Sequence, residues 1–255
     1  MRINFVAVSL IISVNTLAAA DNVSVIGDRA TDVSADAWKD IANFPTNTST
    51  SKSTGFNISK AYPSSEQDGW QFTINVKEDV KGPNGNITAT VMSITSPSNR
   101  TIDSSWHFCT YAFNVKATSA AAYFSGQKDS CNNLVSSECI DDLKKNAARN
   151  SATSGCKAYS TTPGCLRNLD EQSAKALSLS SRNASSMFGK ISTFLHRVDG
   201  DASAFGTAAG LPMLVVTVFG PSAESGMAAT PEVACVQPNA KEKTSGAYHI
   251  TSIST

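Results

Sequence analysis

Six cysteines lie in this 255-residue chain, at Cys109, Cys131, Cys139, Cys156, Cys165 and Cys235. An even number of cysteines in an exported chain is most simply explained by disulfides. Their spacing shows neither a Cys-x-x-Cys pair nor a Cys/His pattern, which disfavours a metal site. We therefore expect a fold held by disulfides, with no metal and no other cofactor.

The first twenty residues indicate export. Met1-Arg2 gives a positive start, Phe5 to Val14 is an apolar run, and Ala18 to Ala20 supplies the small residues that signal peptidase requires. The run is too short to cross roughly 30 Å of hydrocarbon. Residues 1–20 are therefore predicted to be a signal peptide cleaved before Asp21, and the protein to be secreted, extracellular and free of the membrane.

Six Asn-x-Ser/Thr triplets are glycosylation candidates in a secreted chain, and the sequence does not say which carry glycan. They begin at Asn22, Asn47, Asn57, Asn86, Asn99 and Asn183.

The charge balance excludes one class of partner. The chain has 21 basic and 21 acidic residues, and the leader removes one base, Arg2. No basic run exceeds Lys144-Lys145. Such a surface has no field to steer a polyanion, so we expect no nucleic-acid binding.

Residues 21–55 are interpreted as a partly ordered arm. Ser34 can cap a short helix on which Trp38 and Ile41 share a face. Trp38 is expected to be exposed and is the one candidate ligand contact. The stretch from Thr46 to Gly55 is nearly all Ser, Thr, Asn and Lys, so it is interpreted as a linker.

Residues 56–255 are predicted to form a single β-rich domain. Trp70 to Val76 alternates apolar and polar residues, as in a strand with one wet face. The turn Gly82-Pro83-Asn84-Gly85 and the β-branched run Ile87 to Ile94 then predict a hairpin. Trp106 to Val115 is apolar on both faces, which favours a central strand.

The middle third, about 126–200, loses the strand alternation. Ser136 or Ser137 can cap a helix that carries Ile140, Leu143 and Ala147. A second helix is predicted from the spacing of apolar residues at Met187, Phe188, Ile191, Leu195 and Val198. The apolar stripe of either predicted helix could bind a partner, but packing of that stripe on the protein's own sheet is the simpler interpretation.

Leu211 to Phe219 and Val233 to Val236 restore the strand pattern. The predicted fold class is therefore α+β: a mainly antiparallel, sandwich-like β-sheet with a disulfide-stapled insertion of helices and loops in its middle third. Proximity along the chain favours the pairs Cys131–Cys139 and Cys156–Cys165, and two strands expected to be neighbours favour Cys109–Cys235. Other pairings remain possible.

The sequence assigns no catalytic residue. His107 lies between aromatic residues in a strand, where a structural role is the simpler reading, and His196 and His249 lie in no motif. Acidic neighbours occur at Glu78-Asp79, Asp141-Asp142 and Asp199-Gly200-Asp201, but none has a spacing typical of paired catalytic carboxylates or of a calcium loop.

Three segments resemble parts of a known group. They are Ser104 to Cys109, Cys131 to Leu143 (CNNLVSSECIDDL), and Leu211 to Gly220 (LPMLVVTVFG) followed by Cys235. Together they resemble uncharacterised small secreted cysteine-containing proteins of filamentous ascomycete fungi, some of them candidate effectors. The resemblance implies export and a fungal origin, and implies no activity.

Three functions follow as hypotheses. The first is a secreted non-enzymatic binding protein whose partner is a host or cell-wall protein or polysaccharide. The second is an extracellular hydrolase of carbohydrate or ester bonds, and the third is a structural component of the cell surface. The absence of a catalytic motif favours the first.

Overall fold

The computed structural model describes residues 25–26, 33–83, 85–97, 102–116, 131–152, 155–169, 175–179, 186–192, 202–221 and 229–236. The helices are α1 (Ala35–Asn43), α2 (Ser137–Asn150) and α3 (Ala202–Gly210), with a 3-10 turn at Cys131–Asn133. The strands are β1 (Val25–Ile26), β2 (Asn47–Phe56), β3 (Glu66–Gly82), β4 (Gly85–Thr95), β5 (Trp106–Asn114), β6 (Ser151–Ala152), β7 (Gly155–Cys156), β8 (Lys175–Leu179), β9 (Ser186–Ser192), β10 (Met213–Pro221) and β11 (Thr230–Val236).

Most of the described strands belong to two sheets. One has five strands in the order β1-β9-β4-β3-β2, and the other has four in the order β11-β10-β5-β8. Every pair is antiparallel except β1 with β9. The short hairpin β6–β7 stands apart. The described part of the chain is therefore mostly antiparallel β, as the sequence predicts.

The two sheets pack face to face on a shared apolar core. Trp70, Phe72, Ile74 and Val76 point inward from β3, where the sequence alternates, and meet apolar side chains of β5 and β10. Six aromatic rings cluster at one end of this core: Phe56, Tyr62, Trp70, Trp106, Phe108 and Phe219. Burial of this apolar area is the main stabilising term of the sandwich-like pair of sheets.

The predicted hairpin and central strand are confirmed. Strands β3 and β4 pair with Gly82 opposite Gly85, and Gly85 has a φ of 117°, a conformation that favours glycine. Strand β5 lies between β10 and β8. Its Phe108 faces the shared core, whereas Cys109 and Tyr111 face the opposite side, so both faces are buried.

Helix α1 covers part of the outer face of the five-stranded sheet. Ser34 caps it by accepting a hydrogen bond from the Ala37 N–H, as predicted. Trp38 and Ile41 then pack against strands β3 and β4 in a small separate core. Trp38 is only 2% exposed. The expectation that Trp38 is an exposed ligand contact is therefore wrong, because the apolar face of the helix packs against the sheet.

Helix α2 covers the outer face of the four-stranded sheet. Ser136 is its N-cap, since its hydroxyl accepts from the Cys139 N–H. Leu143 and Ala147 are buried against β5 and β10, and Ile140 packs at the margin. This predicted stripe is thus a packing face against the protein's own sheet.

Two expectations about secondary structure are wrong. The segment interpreted as the linker Thr46–Gly55 is largely strand β2, paired with β3 along its whole length. Backbone pairing at a sheet edge orders it even though it has few apolar side chains. The helix predicted from Met187 is, over residues 186–192, strand β9, which pairs with β4. Leu195 and Val198 lie outside the described residues.

The three disulfides are Cys109–Cys156, Cys131–Cys235 and Cys139–Cys165, with Cα–Cα distances of 5.5, 5.5 and 5.1 Å. No cysteine is free. The presence of disulfides is confirmed, but each expected pairing is wrong. Cys109 and Cys235 cannot meet, because β10 lies between their strands: Cys109 is opposite Val218 and Cys235 is opposite Leu214.

Candidate functional site

The outer face of the five-stranded sheet is only partly covered by α1. Beyond the helix, strands β2, β3 and β4 carry polar side chains that are exposed or half-buried. We name this surface the hydroxyl face and define it by nine residues: Thr48, Thr50, Lys52, Thr54, Asp68, Gln71, Thr73, Ser93 and Thr95.

The register of the strands places these residues side by side. Thr50 is opposite Thr73, which is opposite Ser93, and Lys52 lies in the next row opposite Gln71. Residues opposite each other in neighbouring strands share a face. The rows therefore repeat about every 6.6–6.8 Å along a strand and about 4.8 Å between strands, as sheet geometry requires.

A β-bulge extends the hydroxyl face to the end of β2. The register shifts between Ser53 and Thr54, which leaves Gly69 unpaired on β3 with a φ of 95°. The extra residue turns Asp68 to the outer face, where its carboxylate accepts a hydrogen bond from the Thr54 hydroxyl at 2.7 Å. Without the bulge, Asp68 would point toward the core on the same side as Trp70.

Cross-strand hydrogen bonds hold the threonine side chains. The hydroxyls of Thr50 and Thr73 are 3.0 Å apart, and the Thr48 hydroxyl donates to Asn75 Oδ1 at 2.6 Å. Asn75 in turn donates to the Ala42 carbonyl of α1 at 3.1 Å, which ties the hydroxyl face to the helix beside it. Each hydroxyl oxygen still has acceptor capacity toward solvent. The hydrogen-bonded side chains of β2 and β3 are thus a preordered set of donors and acceptors within the hydroxyl face.

The hydroxyl face has one basic and one acidic side chain, Lys52 and Asp68, which balance in charge. An ion pair between Lys77 and Asp40 borders the hydroxyl face where α1 packs on the sheet. Such a surface attracts neither polyanions nor polycations and is suited to a neutral polar ligand.

His107 lies elsewhere, on the outer side of the four-stranded sheet. Its Nε2 is 3.1 Å from Cys109 Sγ, and the side chain is half-buried. Burial lowers the pKa of this imidazole below its ordinary value of 6.5. The ligand atoms of His107, Cys109 and Cys156 lie within 4.8 Å of one another, but the two sulfurs are bonded to each other. While that disulfide is closed neither sulfur is a thiolate, so only the imidazole is an effective metal ligand.

The acidic neighbours are spread over the molecule. Glu78 and Asp79 sit at the register irregularity of β3, where Asp79 has a φ of 58°. Asp142 on α2 accepts a hydrogen bond from Thr162 at 3.2 Å. Asp199 and Asp201, with His196 and His249, lie outside the described residues.

The glycosylation candidates differ in their exposure. Asn86 is exposed beside the β3–β4 turn, Asn57 is half-buried, and Asn47 is buried. Asn57 Oδ1 accepts hydrogen bonds from both the backbone and the hydroxyl of Ser59, the third residue of its own triplet. Asn22, Asn99 and Asn183 lie outside the described residues, as does the leader at residues 1–20.

The sequence analysis does not predict the hydroxyl face, because the polar composition of residues 46–55 favours a linker over a strand. The signal that could have found it is the period of the threonines. Thr48, Thr50 and Thr54 occupy alternate positions with Lys52 between them, and the intervening positions carry serine. A period of two with β-branched residues on one side is a strand pattern even without apolar residues.

No family model, no curated protein and no solved structure matches this chain. Three disulfides are typical of extracellular proteins. Among the described helices, none has the length and apolar character needed to span a membrane.

Proposed function

We propose that this protein is a secreted, non-enzymatic binding protein, and that its hydroxyl face binds a neutral polysaccharide of a cell wall. The observation that carries the proposal is the two-dimensional array of hydroxyl and amide groups on β2, β3 and β4, in which hydrogen bonds between β2 and β3 fix the side chains of Thr48, Thr50, Thr54 and Thr73.

The chemistry of the array supports a polyhydroxylated ligand. A neutral polysaccharide presents repeating hydroxyl donors and acceptors and has no charge to be steered. Ordered hydroxyl and amide groups can exchange hydrogen bonds with such a ligand while losing little side-chain entropy, because the sheet already restricts their rotamers. Repetition along the sheet adds the weak contacts of successive sugar units.

The setting of the site supports the same proposal. The leader and the three disulfides favour an extracellular protein. The resemblance to secreted fungal proteins favours a fungal one, either wall-associated or an effector. Trp38 of α1 is buried against the sheet, so the proposed recognition depends on polar groups and not on an exposed tryptophan.

The test incubates the mature protein with a panel of insoluble wall polysaccharides and measures both its depletion from solution and the release of soluble sugar. We expect depletion without release. The double variant Thr50→Val and Thr73→Val removes two hydroxyls and keeps the β-branched shape, so it should weaken binding by about tenfold. The control is Thr230→Val, on edge strand β11 of the other sheet.

Equal depletion of the double variant and the control would contradict a role for the hydroxyl face. Released soluble sugar would contradict the non-enzymatic proposal and favour the hydrolase. Absence of depletion on every polysaccharide would contradict the ligand class and favour a protein partner.

A further inference from the structure

The Cys109–Cys156 disulfide differs from the other two in its surroundings. Cys109 lies on the central strand β5 and is fully buried, whereas Cys156 lies on the short strand β7 and is partly exposed. His107 shares a face of β5 with Cys109, two residues away, and places its Nε2 at 3.1 Å from Cys109 Sγ. One cysteine of the pair is thus partly exposed, and the other has a nitrogen beside its sulfur.

The sulfur of the partly exposed Cys156 also has a polar neighbour. Cys156 Sγ lies 3.3 Å from the Phe108 carbonyl oxygen. If the disulfide opens, a thiol at Cys156 can donate to that carbonyl, and a thiolate at Cys109 can accept from an imidazole N–H. The backbone and His107 therefore favour opposite protonation states at the two sulfurs.

We propose that Cys109–Cys156 is a thiol–disulfide exchange site at which a small extracellular thiol forms a mixed disulfide with Cys156 and His107 stabilises the leaving sulfur of Cys109. The incoming thiolate attacks Cys156 Sγ and forms a new S–S bond. The Cys156–Cys109 bond breaks, and its electron pair remains on Cys109 Sγ as a thiolate. In the tautomer that carries hydrogen on Nε2, His107 already donates to this sulfur, and the hydrogen bond strengthens as the negative charge develops.

The other disulfides lack this combination. Cys139 and Cys165 are both buried, at 2% and 1% exposure, so an external thiolate has poor access to either sulfur. Cys131 and Cys235 are both partly exposed, and neither contacts a histidine among the described residues. If solvent exposure alone set the rate of exchange, Cys131–Cys235 would open first. If stabilisation of the leaving sulfur sets the rate, Cys109–Cys156 opens first.

The site has a structural consequence beyond the proposed binding function. Strand β7 follows α2 through the β6–β7 hairpin, and Cys156 ties this hairpin to the central strand β5. Exchange at Cys156 would release that tie while the hydroxyl face, on the other sheet, stays intact.

The test treats the oxidised full-length mature protein with limiting reduced glutathione, traps free thiols with N-ethylmaleimide at successive times, and maps the products by peptide mass spectrometry. We expect Cys109–Cys156 to open first, with glutathione on Cys156 and N-ethylmaleimide on Cys109. In His107→Phe, the opening of this disulfide should slow by about tenfold. Opening of Cys131–Cys235, measured in the same tube, should not change.

His107→Gln keeps an N–H donor and should fall between wild type and His107→Phe. Two results in the wild-type protein alone would overturn the proposal. They are opening of Cys131–Cys235 before Cys109–Cys156, and attachment of glutathione to Cys109 instead of Cys156. An unchanged opening rate in both folded variants would overturn the role of His107.

Discussion

The two helices that flank the sandwich are held by different means. Helix α1 covers the five-stranded sheet without any disulfide, through a small core around Trp38 and Ile41 and the Lys77–Asp40 ion pair. Helix α2 covers the four-stranded sheet, and all three disulfides lie in or beside its layer. We refer to these as the α1 layer and the α2 layer.

Local sequence explains part of this difference. Helix α1 packs on β3 and β4, which form a hairpin of their own and follow closely in the chain. The α2 layer also contains residues 157–169, where the described backbone makes turns and an isolated bridge and no long strand or helix. Irregular backbone lacks the repeated hydrogen bonds of a helix or a strand, so covalent links, which restrict the unfolded chain, take a larger share of the stability of this layer.

The largest expected effect comes from removing the longest link. By the chain-entropy relation, replacing Cys131 and Cys235 with Ala should lower the free energy of unfolding by about 4.7 kcal/mol, given their separation of 104 residues. The same change at Cys139 and Cys165, separated by 26 residues, should cost about 3.5 kcal/mol. Urea unfolding of the two double variants measures both. A larger loss at Cys139 and Cys165 would mean that native packing outweighs loop length.

A comparable effect in the α1 layer should come from a single side chain. Trp38→Ala removes the largest buried group of this layer and should cost about 3–5 kcal/mol, with Trp38→Phe as a milder control. Native-state hydrogen exchange should then show early opening of α1, with the amides of α2 unaffected. Simultaneous loss of protection in both helices would contradict the independence of the two layers.

The smallest expected effect compares two equivalent caps. Ser34 and Ser136 each accept a hydrogen bond from the N–H three residues on, so Ser34→Ala and Ser136→Ala should each cost about 1 kcal/mol in thermal unfolding. Hydrogen exchange should separate them. The first turn of α2 is held by Cys139, whereas that of α1 has no such link, so only α1 should fray. Equal fraying would show that the disulfide does not fix the helix start.

Much of the fold could be predicted where side chains alternate strongly. The pattern of Trp70 to Val76, the double-sided run of β5 and the two serine caps each correspond to observed structure. In these segments, local pattern and tertiary burial agree, so a single sequence carries enough information.

The failures have different physical causes. Strand β2 is ordered by backbone pairing, which leaves little trace in side-chain hydrophobicity. Met187, Phe188 and Ile191 fit a helix by spacing, but β9 is selected by pairing with β4. The disulfides join segments up to 104 residues apart, so proximity along the chain does not predict them. The hydroxyl face was missed along with β2, since it depends on that pairing.

Two indole hydrogen bonds, at the end of the shared core where the six aromatic rings cluster, have a consequence for fluorescence spectroscopy. Trp70 donates to the Phe56 carbonyl at 3.2 Å, and Trp106 donates to the Lys60 carbonyl at 2.6 Å, so both fluorophores sit where the β2–β3 connection closes the core. The third tryptophan, Trp38, belongs to the α1 layer. Intrinsic tryptophan emission therefore reports on the shared core and on α1, and carries no direct signal from the α2 layer, where all the disulfides are.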